Sequence, residues 1–164
     1  MIRTSIVAVN DQGAGSERVV ATVTAMRNLL KQGPFQEVDY HVVPDEQALI
    51  RAKLRILSDR DDIDLILTTG GTGLFFKERT PEATREIIER EIPGIPEMIR
   101  VSGSENSHKA AMFRGVAGTR RKTLIVNLPG GPKGVEDSLK AIFELLIDAT
   151  ERTSGKAELQ PALK

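Results

Sequence analysis

Cysteine and tryptophan are both absent from the 164 residues. Without cysteine there can be no disulfide, zinc–thiolate site, iron–sulfur cluster or thiol nucleophile. Two histidines, His41 and His108, leave little room for a histidine metal cage. No nucleophile stands clearly near either, so Ser-His-Asp chemistry has no support; His41 reads as a sheet residue and His108 as polar surface. Aromatics make up 4% of the chain, too few to build stacking platforms for a single strand of nucleic acid. A charge of one sign is missing as well: 23 Lys+Arg balance 23 Asp+Glu at net 0. No broad field therefore draws the chain to nucleic acid or to an anionic membrane. No apolar run reaches the roughly 18 residues of a membrane span, and Met1-Ile2-Arg3 leads into a strand-like run without a signal-cleavage pattern. The expectation is a cytoplasmic protein with neither membrane nor nucleic acid as partner. What is present, 40% hydrophobic and 28% charged residues, is ordinary for one globular domain.

Hydrophobic periodicity supplies the organisation. A β-branched apolar run at residues 5–9 predicts a strand buried on both faces, stopping at Asn10-Asp11-Gln12-Gly13. The spacing of Val19, Val20, Val23, Met26, Leu29 and Leu30 predicts a helix over 16–31, ended by Gly33-Pro34. A more peripheral strand over 38–43 closes at Pro44. A helix over about 45–58 follows, with Ala48, Leu49, Ala52, Ile56 and Leu57 along one side. Residues 65–69 read as the next buried strand and run directly into Gly70-Gly71-Thr72-Gly73. Thr80 reads as an N-cap with Pro81 at the first helical position; this helix is expected to reach about Glu91 and to end at Pro93, Gly94 and Pro96. The stretch 97–113 carries helical fragments without a clean period. A hairpin-like pair, 115–117 and 124–126 around Arg120-Arg121-Lys122, leads to a second glycine loop, Gly130-Gly131-Pro132-Lys133-Gly134, and a last helix over about 135–151. Residues 1–152 are thus expected to form one three-layer α/β/α sandwich around a mostly parallel sheet, with 153–164 as a flexible C-terminal tail.

In such sheets ligands sit at the carboxyl ends of the strands, where the loops 10–16, 70–80 and 127–134 fall. Gly13-Ala14-Gly15-Ser16-Glu17-Arg18 follows a strand and opens a helix, as a dinucleotide fingerprint does, but Arg18 replaces the third glycine. An ordinary strand-to-helix turn is the plainer reading, and a dinucleotide-dependent oxidoreductase is only a third-ranked function for this chain. Neither glycine loop continues into Lys-Ser or Lys-Thr, which excludes a P-loop. Thr68-Thr69-Gly70-Gly71-Thr72-Gly73 is different in quality. Three glycines in four positions permit positive φ and let successive N–H groups point into one concavity suited to phosphate; the alternative is merely a flexible turn. Asp45 and Glu78 both fall at helix starts, where acids commonly cap or complement the helix dipole. Beside a phosphate loop the same two carboxylates could hold Mg²⁺, which takes oxygen ligands and bridges phosphate groups. Lys77, Lys133 and Arg114 could add positive charge, although solvated lysines and arginines are the commoner case.

The string from Asp64 to Gly73, followed by Thr80-Pro81-Glu82-Ala83-Thr84, resembles the molybdopterin-binding domain of the MogA/MoaB and gephyrin family. Pro44-Asp45-Glu46, Asn127-Leu128-Pro129-Gly130-Gly131-Pro132-Lys133-Gly134 and the stretch from Pro93 to Arg100 agree with it, so that the resemblance covers about residues 3–150. It implies a three-layer α/β protein, usually a trimer and in some cases a hexamer, that binds molybdopterin. In the adenylyltransferase branch the terminal phosphate of molybdopterin attacks the α-phosphate of ATP, giving adenylylated molybdopterin and pyrophosphate. ATP is then a co-substrate, Mg²⁺ the metal ion, and no organic prosthetic group is implied. Carried over by position, Asp45 and Glu78 are the catalytic acids and the Mg²⁺ ligands. Thr69, Gly70, Gly71, Thr72 and Gly73 with Asn127, Pro129, Gly130, Gly131 and Lys133 bind substrate and phosphate, and Asp11, Lys77, Glu97 and Arg114 support them. The chain also departs from the pattern: Lys77-Glu78 replaces Arg-Asp, Phe75-Phe76 replaces smaller residues or proline, and Ala111-Met112-Phe113-Arg114 keeps the arginine of a Leu-Ser-Arg element without its serine. These departures touch the nucleotide-facing loops, which leaves a MoaB-like paralogue that binds without efficient turnover as the alternative.

Overall fold

A computed structural model describes residues 1–157. The chain runs β1 (Ile2–Val9), α1 (Glu17–Leu30), β2 (Phe35–Val43), α2 (Gln47–Ser58), β3 (Leu65–Thr69), α3 (Thr80–Arg85), β4 (Arg90–Glu91), α4 (Gly94–Ser104), a 3₁₀ turn (His108–Met112), β5 (Ala117–Arg120), β6 (Thr123–Leu128) and α5 (Pro132–Ser154). Six strands form one sheet in the order β2-β1-β3-β6-β5-β4. The first four are mutually parallel, while β5 and β4 close one edge antiparallel. Alternation along the central strands divides the apolar side chains between two faces. Ile6, Leu65, Leu67, Leu124 and Val126 pack against Met26, Leu29, Ile95, Ile99, Leu139, Ile142 and Leu146 of α1, α4 and α5. Val7, Val9, Ile66 and Ile125 pack against Ile50, Leu54, Leu57, Ala83 and Ile87 on and beside α2 and α3. Each such side chain contributes roughly 1.5–3 kcal/mol when fully buried, so the central strands are the stable frame on which the loops stand. The result is the expected three-layer sandwich with a mostly parallel sheet.

Several boundaries differ from expectation, each for a local reason. Pairing with β1 (Ile2↔Phe35) draws 35–37 into β2. The buried stripe of α2 is Ile50, Leu54 and Leu57, at helical i, i+4, i+7 spacing, whereas Leu49 and Ile56 of the expected face are exposed. Thr80 is the first residue of α3 rather than its cap, because its N–H and hydroxyl donate to Gly71 O and Gly70 O. That helix stops at Arg85, since Glu89 N and Ile92 N find Thr119 O and Ala117 O and the intervening residues become β4. Pro93 and Pro96 open α4 instead of ending α3, at positions where a missing N–H costs nothing. α5 begins earlier than expected, at Pro132, and runs through Thr153 and Ser154 to a left-handed cap at Gly155, so the first residues assigned to the tail are helical. Lys156 then donates to Met1 O at 2.8 Å and to Asp64 Oδ2 at 2.5 Å. Asp64, 2% exposed, also accepts from Arg3 N (2.8 Å), Nε (3.1 Å) and Nη2 (2.9 Å). Residues 158–164, the remainder of the expected tail, lie outside the described residues.

Candidate functional site

The connection from β1 leads outward to β2, whereas β3 lies on the other side of β1, so the sheet has its topological switch point between β1 and β3. β1, β3 and β6 are neighbours, and the loops leaving their carboxyl ends border a single cavity of about 1210 Å³. Its wall includes Asp11, Asp45, residues 69–75, Glu78, Phe113, residues 129–131 and Lys133. Gly70 and Gly71 have φ of 93° and 69°, the left-handed region that glycine enters without strain. A Cβ on Gly71 would run into Thr80 Oγ1 and lie 3.3 Å from both carboxylate oxygens of Asp45. The glycine therefore sets how closely Asp45 approaches the loop.

Side chains brace the two glycine loops from behind. Thr69 Oγ1 donates to Pro129 O at 2.7 Å and ties the first loop to the second. Arg114 donates through its backbone N to Thr72 O (3.0 Å), through Nε to Gly73 O (2.8 Å) and through Nη2 to Glu78 O (3.0 Å), with Nη1 on Glu82 Oε1 at 2.5 Å. An arginine so engaged shapes the loop instead of offering free charge to a ligand. Asn127 is fully buried outside the cavity, its amide donating to Thr68 Oγ1 and Thr84 Oγ1 at 3.0 Å and its oxygen accepting from Val116 N at 3.1 Å. It braces β6 against β3 and α3, so the structure removes it from the wall where it was expected. The Thr69 hydroxyl likewise spends its proton on Pro129.

Neither acid caps the helix it precedes. Asp45 Oδ1 accepts from Arg79 N at 3.2 Å, Glu78 Oε2 accepts from Phe75 N at 3.0 Å, and Asp45 N donates to Asp11 Oδ1 at 2.8 Å. Burial pushes the Asp45 carboxyl above its ordinary range, with further push from Asp11 and Glu78 that the Arg79 N–H and Lys77 only partly offset. Asp11 is held low, first by its ion pair with Lys77 and then by Asp45 N. Among the described residues, Asp45 Oδ2 and Glu78 Oε1 receive no hydrogen bond from the protein, and no cluster of three or more acids and histidines forms a complete metal cage. Two oxygen donors without a full cage suit Mg²⁺, which usually takes one or two carboxylates and fills its sphere with phosphate oxygens and water.

Of the other expected residues, Gly73, Gly130, Gly131 and the exposed Lys133 line the cavity; Lys77 and Glu97 do not. The wall also includes residues the sequence reading did not assign. A Cβ on Gly131 would lie 2.8 Å from Arg18 Nη2, so the guanidinium overhangs the second glycine loop. Arg18 was legible only as a misfit in a dinucleotide pattern. Ser107 and Lys109 come from the aperiodic stretch after α4, and Asp137 and Ser138 from the first turns of α5; no signal in the sequence marked them.

The model of a family described as "Probable molybdopterin binding domain" matches residues 5–149. The chain belongs to that family. Molybdopterin adenylyltransferase of Helicobacter pylori (strain J99) is 40% identical over 107 residues, covering 65% of this chain and 61% of that relative, so the match spans less than two thirds of it. The enzyme of the same name from Escherichia coli K12 is 33% identical over 144 residues, 86% of this chain and 73% of that one. Among solved structures, the molybdopterin biosynthesis enzyme MoaB from Thermus thermophilus superposes with a TM-score of 0.88 at 48% identity, covering 94% of this chain and 98% of its own.

Proposed function

We propose that this molybdopterin-binding-family chain is a molybdopterin adenylyltransferase acting in molybdenum cofactor biosynthesis. The observation that carries the reading is the convergence of two glycine loops and two partly unpartnered carboxylates, Asp45 and Glu78, on one cavity at the switch point of the sheet. Two family relatives bearing that name support it. In the proposed reaction a terminal phosphate oxygen of molybdopterin bonds to the α-phosphorus of ATP. The bond from that phosphorus to the bridging oxygen breaks, and pyrophosphate leaves with the electron pair. Such a transfer asks for positioning and charge stabilisation, not for a reactive side chain. The N–H groups of the glycine loops receive phosphate oxygens, while Lys133 and Arg18 supply positive charge over the second loop. Asp45 and Glu78 would hold Mg²⁺, which supplies charge neutralisation on the nucleotide phosphates when bound. The brace from Thr69 to Pro129 keeps both loops in place before either substrate arrives, so little ordering remains to be done on binding.

Purified protein incubated with molybdopterin, ATP and MgCl₂ should release pyrophosphate; none at saturating substrates would overturn the reading. The alternative, a binding paralogue without efficient turnover, draws on Glu78, whose Oε2 is already engaged by Phe75 N, and would be selected by molybdopterin binding without pyrophosphate. A cytoplasmic location and a homotrimer complete the proposal. No helix among the described residues is long and apolar enough to cross a membrane. Light scattering at micromolar concentration is expected to give about three times the 17.9 kDa chain mass.

A further inference from the structure

Leu74, Phe75 and Phe76 follow the first glycine run, and all three are exposed, the two rings at 82% and 89%. Consecutive large apolar side chains left in water mark a surface that something else covers. The two rings differ in their surroundings. Phe76 lies outside the cavity wall, and the Arg79 guanidinium sits 4.9 Å from its ring centroid. Phe75 is part of the wall. Its backbone is clamped twice by one residue, with Phe75 N donating to Glu78 Oε2 at 3.0 Å and Glu78 N donating to Phe75 O at 2.9 Å. The only other ring in the wall among the described residues, Phe113, is 8% exposed and is hemmed in at Gly115. Phe75 is therefore an exposed flat apolar surface held at a fixed place on the cavity's lip, tied to the carboxylate that would carry the nucleotide's metal.

We propose that Phe75 is the stacking platform for the purine base of the nucleotide and a specificity-determining residue of the site. The proposal rests on the adenylyltransferase reading. The choice of purine over pterin follows from the in-line geometry of phosphoryl transfer. The attacking phosphate enters opposite the departing pyrophosphate, which carries the pterin away from the two acids. The ribose and base hang from the same phosphorus that is attacked and stay beside them. Three residues of chain reach at most about 10 Å, so the Phe75 ring cannot lie far from Glu78.

The test measures ATP and molybdopterin binding separately, in MgCl₂, by calorimetry on Phe75→Ala, Phe75→Trp and Phe76→Ala. Phe75→Ala should weaken ATP binding about tenfold to a hundredfold, the loss typical of a stacked base, and leave molybdopterin binding unchanged. Phe75→Trp should keep ATP affinity, and in a chain without native tryptophan its indole becomes the sole tryptophan reporter, whose emission should change on ATP but not on pyrophosphate alone. Phe76→Ala should bind both ligands as the parent does. Parent-like ATP affinity in Phe75→Ala, loss of molybdopterin affinity instead, or an unmoved indole at saturating ATP would each overturn the platform while leaving the adenylyltransferase reading intact. Failure of the parent protein itself to bind ATP would overturn both.

Discussion

Replacing Gly71 by alanine tests the site and its support together. The residue has φ of 69°, where an L side chain costs roughly 1–2 kcal/mol. The new Cβ would overlap Thr80 Oγ1, whose 2.9 Å hydrogen bond to Gly70 O must then break, at about 1 kcal/mol. A stiffer unfolded chain returns about 0.5–1 kcal/mol. The net loss is about 1–2.5 kcal/mol, or a fall in Tm of about 2–10 °C for a domain of this size. The same Cβ would press on both Asp45 oxygens from 3.3 Å, and if Asp45 acts as proposed its displacement should cost about a hundredfold in rate. Thermal unfolding by circular dichroism and pyrophosphate release are measured on the same preparation. Gly15→Ala is the control, since its Cβ would meet nothing within 4 Å and its φ is not left-handed. A Gly71→Ala protein that melts with the parent and turns over at the parent rate would refute both the strain and the contact with Asp45.

Asp45→Ala and Glu78→Ala should each lower pyrophosphate release by about 10²–10³-fold with molybdopterin affinity retained, and Glu78→Asp should keep most of the rate. Because burial and the neighbouring acids raise the Asp45 pKa, a rate that needs its carboxylate should fall on the acid side at a higher pH than an ordinary carboxylate would give; Asp11→Asn, which removes one negative neighbour and frees Lys77, should move that limb to lower pH in a pH–rate profile. Burial pushes the Asp64 carboxyl up, but the Arg3 and Lys156 hydrogen bonds outweigh it and hold the group well below the carboxylate range. Its stabilising contribution is therefore complete above the unfolded value near pH 4 and lost as pH falls further, whereas Asp64→Asn should lack that acid dependence and be less stable at pH 7 by about 2–3 kcal/mol, discounted because Arg3 and Lys156 are over a third exposed. Asn127→Ala strands Val116 N and the Thr68 hydroxyl and takes one of two partners from the Thr84 hydroxyl, so chemical denaturation should report a loss of about 2–4 kcal/mol while ATP affinity stays unchanged.

The layers were legible because their signals are local. The apolar runs of β1, β3 and β6 and the 3.6-residue period of α1 and α5 do not depend on the rest of the chain. The end of α3 was not, since what stops it is the backbone of β5, more than thirty residues away in sequence. The same distinction runs through the site. Gly70 and Gly71 could be singled out from spacing because positive φ is a local demand, and Gly131, which shares it, came through the resemblance of its loop. The separation of Asn127 and Arg114 from ligand contact could not, because it depends on which acceptors the fold brings within reach: Thr68, Thr84 and Gly73 are each 40 residues or more away in sequence from the side chain they engage. Arg18 and Lys109 were missed for the converse reason, as single basic residues on polar stretches look alike whether they face a cavity or bulk water.

The link from Lys156 to Met1 and Asp64 puts the first described residue and the penultimate one together at the amino-terminal ends of β1 and β3, while the cavity opens at their carboxyl ends. A strand of five to eight residues separates the two poles by roughly 15–25 Å. An insertion geometry follows: a neighbouring domain joined ahead of Met1 and another joined after α5 would both attach on the side away from the cavity. The fold can thus be carried within a longer polypeptide, or tethered to a surface by either end, with its cavity still facing solution.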